Sequence, residues 1–133
     1  MSLFTKEQLH QIRTYFENAN RQEEVGLWEG RSGDTLQNDL VNALNDNAPE
    51  DAEARRLAYW ALSKRADAAL IPSFRNWLSQ ELKGNDAQAI FQLMIGLDNL
   101  EEPIFDVSRS GYASFEEELN RRDASRYLNQ TDL

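Results

Sequence analysis

The sequence predicts an all-α protein, and three observations carry that reading. Apolar residues recur at spacings of three and four along most of the chain. No alternation of strand period interrupts them over a useful length. The breaks fall at clusters of Gly, Pro and Asn, the residues that end helices. At 133 residues the expectation is a single domain, 1–133, without an internal boundary. A chain of that size buries roughly two thirds of the surface its unfolded form exposes, enough for a core without metal or disulfide staples.

About six helices are readable. The first starts near Thr5, whose hydroxyl can cap a free backbone N–H, with Gln8 completing a capping box. Leu9, Ile12, Phe16 and Ala19 form its apolar face, and Gly26, Gly30 and Gly33 then mark a loop around Leu27 and Trp28. The second helix, about Asp34 to Leu44, carries Leu36, Leu40 and Leu44, and Asn45-Asp46-Asn47-Ala48-Pro49 stops it. The third, about Glu50 to Arg65, is rich in Ala, the best helix former and small enough for a neighbour to approach closely.

The fourth helix, about Ala68 to Lys83, has the stripe Ile71, Phe74, Leu78 and Leu82. Pro72 is tolerated in its first turn, and Gly84-Asn85, residues that accept a left-handed backbone, end it. The fifth, Asp86 to about Leu100, is the most apolar and therefore the candidate centre of the core. An irregular loop from Glu101 to Ala113 follows, broken by Pro103 and Gly111. The sixth helix is expected from Ser114, with Glu117 in the capping-box position.

A weak internal repeat suggests how these helices stack. Asp51-Ala52-Glu53-Ala54 matches Asp86-Ala87-Gln88-Ala89, and Ala61-Leu62 matches Gly96-Leu97, at a constant offset of 35 residues. Periods of that length suggest a solenoid of antiparallel helix pairs, because one pair cannot bury its own apolar face. Helices three with four and five with six would be two such pairs, with one and two as a degenerate terminal pair. The alternative is an irregular helical bundle in which Asp-Ala recurs as a good helix start.

The chain is acidic, with 23 Asp and Glu against 14 Lys and Arg and a net charge of −9. Such a surface repels phosphate backbones and anionic lipid and speeds encounter with basic proteins. Nucleic acid and membrane surfaces are therefore not expected as direct partners. No run approaches the roughly 18 apolar residues of a membrane span. The N-terminal residues lack the apolar run of a signal peptide, which makes the cytoplasm the expected location. The absence of Cys excludes disulfides and thiolate metal clusters and fits a reducing compartment.

Little of the sequence points to bond-making chemistry. His10 has no second His, Cys or nucleophile motif near it, and a metal site needs several convergent ligands. The paired carboxylates Glu23/Glu24, Glu50/Asp51, Glu101/Glu102 and Glu116 to Glu118 fall mostly at helix starts, where they favour the helix dipole and stay ionised. Asn45-Asp46-Asn47 is too short for a calcium loop. No catalytic residue, metal or cofactor is expected, and the protein reads as a binding protein and not an enzyme.

Charge placement is more suggestive. From Gly96 to Glu118, seven acids face one base, Arg109, a net of −6. Asp46 to Glu53 adds Asp46, Glu50, Asp51 and Glu53 without a base. In a stacked array both stretches would be connections on one edge. The candidate partner-binding residues are the acids Asp98, Glu101, Glu102, Asp106, Asp46 and Glu50, with Phe105 and Tyr112 as aromatic anchors. Interfaces use buried aromatics for affinity and charge for steering. Solubility alone is the competing explanation of such loops. Trp60 and Trp77 are expected in the core, and Asn120 is expected to tie down the loop before the last helix.

The final segment Arg109-Ser110-Gly111-Tyr112-Ala113-Ser114-Phe115-Glu116-Glu117-Glu118-Leu119-Asn120-Arg121-Arg122-Asp123-Ala124-Ser125-Arg126-Tyr127-Leu128, with the Ala-rich helix Ala54 to Leu62, resembles small bacterial immunity proteins. These partner the toxic C-terminal domains of contact-dependent inhibition and other polymorphic toxin systems, and several have HEAT-like helical folds. The resemblance covers the chain from about Ala54 onward and contains no diagnostic motif, so it assigns no individual residue. It implies a HEAT-like short α-solenoid and a cytoplasmic inhibitor. That inhibitor would be a monomer pairing with one cognate toxin domain, often a nuclease, and blocking its active site or substrate entry. Nucleases hold phosphates in basic grooves, which an acidic protein can occupy. The alternatives are a HEAT-like adaptor or chaperone for another basic protein, a small carboxylate-based helical enzyme, and an acidic mimic of DNA.

Overall fold

The computed structural model describes residues 4–20, 26–47 and 51–131. The protein is all-α. Among the described residues six helices run in the order α1 (Lys6–Asn20), α2 (Gly33–Asn47), α3 (Ala52–Ser63), α4 (Ile71–Glu81), α5 (Ala87–Asn99) and α6 (Glu117–Thr131), with a 3-10 turn at Ala68–Leu70 leading into α4. The described residues contain no strand, only an isolated bridge between Trp28 and Arg31. None of their helices is long and apolar enough to cross a membrane. The chain divides into two compact units, Met1–Ala66 and Asp67–Leu133, where the sequence marked no boundary.

The first unit packs α1 and α2 against α3. α1 and α2 start within a residue of where the sequence places them, whereas α3 starts at Ala52, after the expected Glu50, because Asp51 is its non-helical cap. The Thr5 amide donates to Gln8 Oε1 at 2.9 Å and the Gln8 amide to Thr5 Oγ1 at 3.1 Å, a reciprocal capping box. Asp51 caps α3 by accepting from the Glu53 amide at 2.9 Å. Leu9, Ile12 and Phe16 of α1, Leu36, Leu40 and Leu44 of α2 and Leu57, Ala58, Ala61 and Leu62 of α3 are all buried. Ala54, Ala58 and Ala61 keep the surface of α3 low, which lets α1 approach closely. The chief partner of α1 is thus α3, not its chain neighbour α2 as the helix-pair reading expected.

Arg65 closes this unit. Its guanidinium lies 5.3 Å from the Phe16 ring and donates to Gln37 Oε1 and to Asp34 Oδ1, both at 2.6 Å. A side chain at position 33 would meet Arg65 Nη1 at 2.7 Å, so Gly33 leaves the room the arginine occupies. Trp60, expected in the core, is half-buried beneath the Arg13 guanidinium at 4.2 Å.

The second unit packs α4 and α6 against α5 and against each other. As its apolar sequence predicts, α5 is central: Ala89, Ile90, Leu93, Met94 and Leu97 are at most 1% exposed. Phe74, Trp77 and Leu78 of α4 and Ala124 and Tyr127 of α6 complete the core. Ile71 and Leu82, expected in the α4 stripe, are only half-buried, and Trp77 takes the interior position instead. The residue before α5, Asp86, caps it by accepting from the Ala89 amide at 3.1 Å. Asp51 and Asp86 thus stand at matched helix starts, which accounts for the repeat of Asp-Ala.

The end of α4 is closed by a side chain and not by a left-handed glycine. Arg121 Nη1 and Nη2 donate to the Leu82 and Gly84 carbonyls at 3.2 and 2.9 Å. A cation there satisfies free carbonyls and opposes the negative end of the helix dipole.

Candidate functional site

The candidate site is the loop from Leu100 to Glu116, which begins with an unusual helix end. The Glu102 amide donates to the Leu97 carbonyl at 3.1 Å and the Glu101 amide to the Asp98 carbonyl at 2.9 Å. This is a Schellman motif, and its left-handed position normally takes glycine. Here Glu101 occupies it, with φ +66° and an exposed side chain. An L residue in that conformation costs roughly 1–2 kcal/mol.

The loop then runs back along α6. Tyr127 Oη donates to Glu102 Oε1 at 2.6 Å. Burial, reinforced by this bond to a carboxylate, pushes the Tyr127 phenol well above its ordinary pKa. Arg126 donates to Asp106 Oδ2 at 3.0 Å. The Asp106 amide donates to Asp123 Oδ2 at 3.2 Å. Nearer the start of α6, Asn120 Nδ2 donates to the Ala113 carbonyl at 2.9 Å, as the sequence led us to expect.

Arg109 is the centre of this clamp. Its side chain is 5% exposed and pairs with Asp123, which is wholly buried, at 3.0 Å and with Glu116 at 3.1 Å. It also donates to Asn120 Oδ1 at 3.0 Å. Above it, Phe105 and Tyr112 stack at 3.8 Å with planes 13° apart, each ring within 5.5 Å of the guanidinium carbon. A buried charge is tolerated only when paired and hydrogen-bonded, and Arg109 meets that condition by joining both halves of the loop to one helix.

Two tight turns project from the clamp. In the first, the Arg109 amide donates to the Asp106 carbonyl at 3.0 Å and the Ser108 amide to Asp106 Oδ1 at 2.9 Å, with Val107 at the tip. The bonds to Ser108, more than the charge of Arg126, hold the Asp106 carboxyl below its ordinary pKa. In the second, the Glu116 amide donates to the Ala113 carbonyl at 3.1 Å, with Ser114 and Phe115 at the tip. This turn replaces the expected first turn of the last helix, and α6 starts at Glu117 instead of Ser114. Val107 is 100% exposed, Phe115 83% and Tyr112 43%.

The residues expected at a partner surface therefore divide. Asp98, Glu101 and Tyr112 are exposed in this region. Glu102 and Asp106 are half-buried and engaged by Tyr127 and Arg126. Phe105, expected as an anchor, is 6% exposed and packs between Phe91 and Tyr112, so it supports the loop from beneath. Asp46 is exposed near the end of α2 in the first unit, and Glu50 falls outside the described residues. Arg126 of α6 answers Asp106 while buried Asp123 takes up Arg109, so these two residues of α6 cancel and the local excess of acid equals the count along the chain.

Val107 and Phe115 went unnoticed in the sequence. The available signal was an apolar residue set between turn formers, Asp106-Val107-Ser108 and Ser114-Phe115-Glu116. Among the described residues, no three His, Cys, Asp or Glu side chains are placed to hold a metal ion. Comparison with protein-family models, with curated proteins and with solved structures finds no match for this chain.

Proposed function

We infer that this protein acts by binding, as a cytoplasmic immunity protein that neutralises a basic toxin domain, with a nuclease as the expected toxin. The observation that carries this reading is the clamped loop. A buried ion pair, Arg109 with Asp123, fixes its backbone while Glu101, Glu117 and Glu118 stand exposed at its two ends. A surface already ordered before binding loses less entropy on association. Exposed carboxylates there speed encounter with a cationic groove and oppose anionic competitors. The net charge of −9 acts in the same direction over longer range. In this reading the protein is a monomer that forms a heterodimer with its toxin and occupies the groove that nucleic acid would enter.

The test is co-expression with the C-terminal domain encoded by the gene immediately upstream. The two should co-purify, and the protein should restore growth to cells making that domain. Asp98→Lys with Glu101→Lys should slow association by about tenfold at low salt and by less at high salt. Co-purification without growth protection would favour an adaptor for a basic protein. Neither would remove the immunity reading.

A further inference from the structure

We propose that Val107, Tyr112 and Phe115 form an apolar ridge that inserts between two groups of basic residues on the partner, and that this ridge, not the carboxylates, supplies most of the affinity. The inference deepens the immunity reading and rests on it for the partner's biology alone. Its chemistry stands on the loop.

Turn tips are ordinarily Gly, Asn, Asp or Ser, which hydrate well and bend easily. Here two tips within nine residues carry Val107 and Phe115, 100% and 83% exposed, while the backbone beneath them is held by buried polar bonds. Phe105 supports Tyr112 from below, so the exposed ring is fixed in orientation. Rigid, outward apolar groups on an ordered base are what an interface centre is made of.

Charge says what covers them. The loop runs antiparallel to α6, with Glu102 at Tyr127, Asp106 at Asp123 and Arg126, and Ala113 at Asn120. Glu101 therefore lies near the level of Tyr127, and Glu117 begins the helix. Ten residues of helix separate the two ends, roughly 15 Å. Exposed Glu101 stands at one end and exposed Glu117 and Glu118 at the other; the turn carrying Val107 is tied at Asp123, between them, and the turn carrying Phe115 closes just before Glu117. A complementary surface carries Lys or Arg at two places roughly 15 Å apart with an apolar cleft between them.

The experiment uses the full chain and three labelled peptides of about 14 residues, each long enough to span that distance as a helix. One has Leu and Phe in its centre and two Lys at each end. The second has the same ends and an Ala centre. The third has the first composition with Lys and apolar residues interleaved. Fluorescence anisotropy should show the first peptide binding at least about tenfold more tightly than the other two. Val107→Ser with Phe115→Ser should remove that advantage without lowering the thermal midpoint, since neither side chain is buried.

Equal binding of the first two peptides, no binding of any, or full affinity in the double variant overturns the ridge. None of these results depends on a toxin. Failed co-purification with the upstream product would remove the immunity reading and leave a positive peptide result standing. Co-purification with a flat peptide result would leave capture by charge alone.

Discussion

The two units are built on matching central helices and finish differently. Both α3 and α5 start from an aspartate cap, 35 residues apart in the chain. They share five buried positions, Ala54 and Ala89, Ala58 and Leu93, Tyr59 and Met94, Ala61 and Gly96, Leu62 and Leu97, while Leu57 and Ser63 are buried in α3 alone and Ile90 in α5 alone. Beyond each helix the chain passes through a left-handed residue that is not glycine, Ala66 in one case and Glu101 in the other. Each unit then uses an arginine beside an aromatic ring, Arg65 by Phe16 and Arg109 by Phe105, to tie chain back to helix. The difference lies in the carboxylate. Asp34, the partner of Arg65, has a side chain 90% exposed, whereas Asp123, the partner of Arg109, is at 0%. An exposed pair is screened by water and adds little, whereas a buried pair fixes geometry and penalises its own breakage. The second unit therefore concentrates rigidity in the place where a loop has to hold its shape.

Unfolding in urea offers the hardest attack on this contrast. Asp123→Ala leaves Arg109 buried without its main counter-ion and should cost about 3–5 kcal/mol. Asp34→Ala should cost under about 1 kcal/mol. Equal losses would end the distinction. A second, smaller effect has the opposite sign. Glu101→Gly relieves the left-handed strain and should raise stability by about 1 kcal/mol, while removing a charge from the proposed binding face. A more stable protein that associates more slowly is the expected pair of results. Ala66→Gly should give the gain in stability without the change in association, measured with the same partner.

The smallest effects follow pH. The Asp106 carboxyl titrates below its ordinary value of 3.8 when folded, held there by Ser108. Its contribution is complete above 3.8 and is lost as pH falls through the depressed value. Protection of the Ser108 amide against exchange, relative to an unstructured amide at the same pH, should fall in that acid window. In the first unit, Asp51 is lowered chiefly by its bond from Lys6, and Lys6 is raised chiefly by the same bond. The link between the starts of α1 and α3 should therefore weaken at both extremes. Its acid limb lies below 3.8, and its alkaline limb lies where pH rises above 10.5 through the raised lysine value. Protection at Ser108 that was lost along the alkaline limb and kept in the acid window would break the assignment.

What the sequence disclosed was local, and what it withheld was contact over distance. Thr5 with Gln8, and Asp51 and Asp86 before Ala-rich starts, announce helix ends because their partners lie two or three residues away. The apolar stripes of α1, α2 and α5 are legible for the same reason. The start of α6 was misplaced because Ser114 and Glu117 satisfy a local rule that Asn120, gripping the Ala113 carbonyl, overrides. Phe105 was read as an anchor because nothing in its neighbourhood reveals Tyr112 folding back over it. Arg109 counted as one base among seven acids, although its decisive partner stands 14 residues further on. Val107 and Phe115 carry only a faint local signal, an apolar residue set between turn formers, and their exposure follows only once the loop is pinned.

The bond from Tyr127 to Glu102 has a spectroscopic consequence. Ordinary phenols ionise near pH 10, and the phenolate absorbs at longer wavelength than the neutral ring. Tyr127, shut in the core with its proton directed at Glu102, keeps that proton well past the ordinary phenol range. An alkaline titration followed by absorbance should thus proceed in two stages, and the later one should coincide with the collapse of the second unit's helical dichroism.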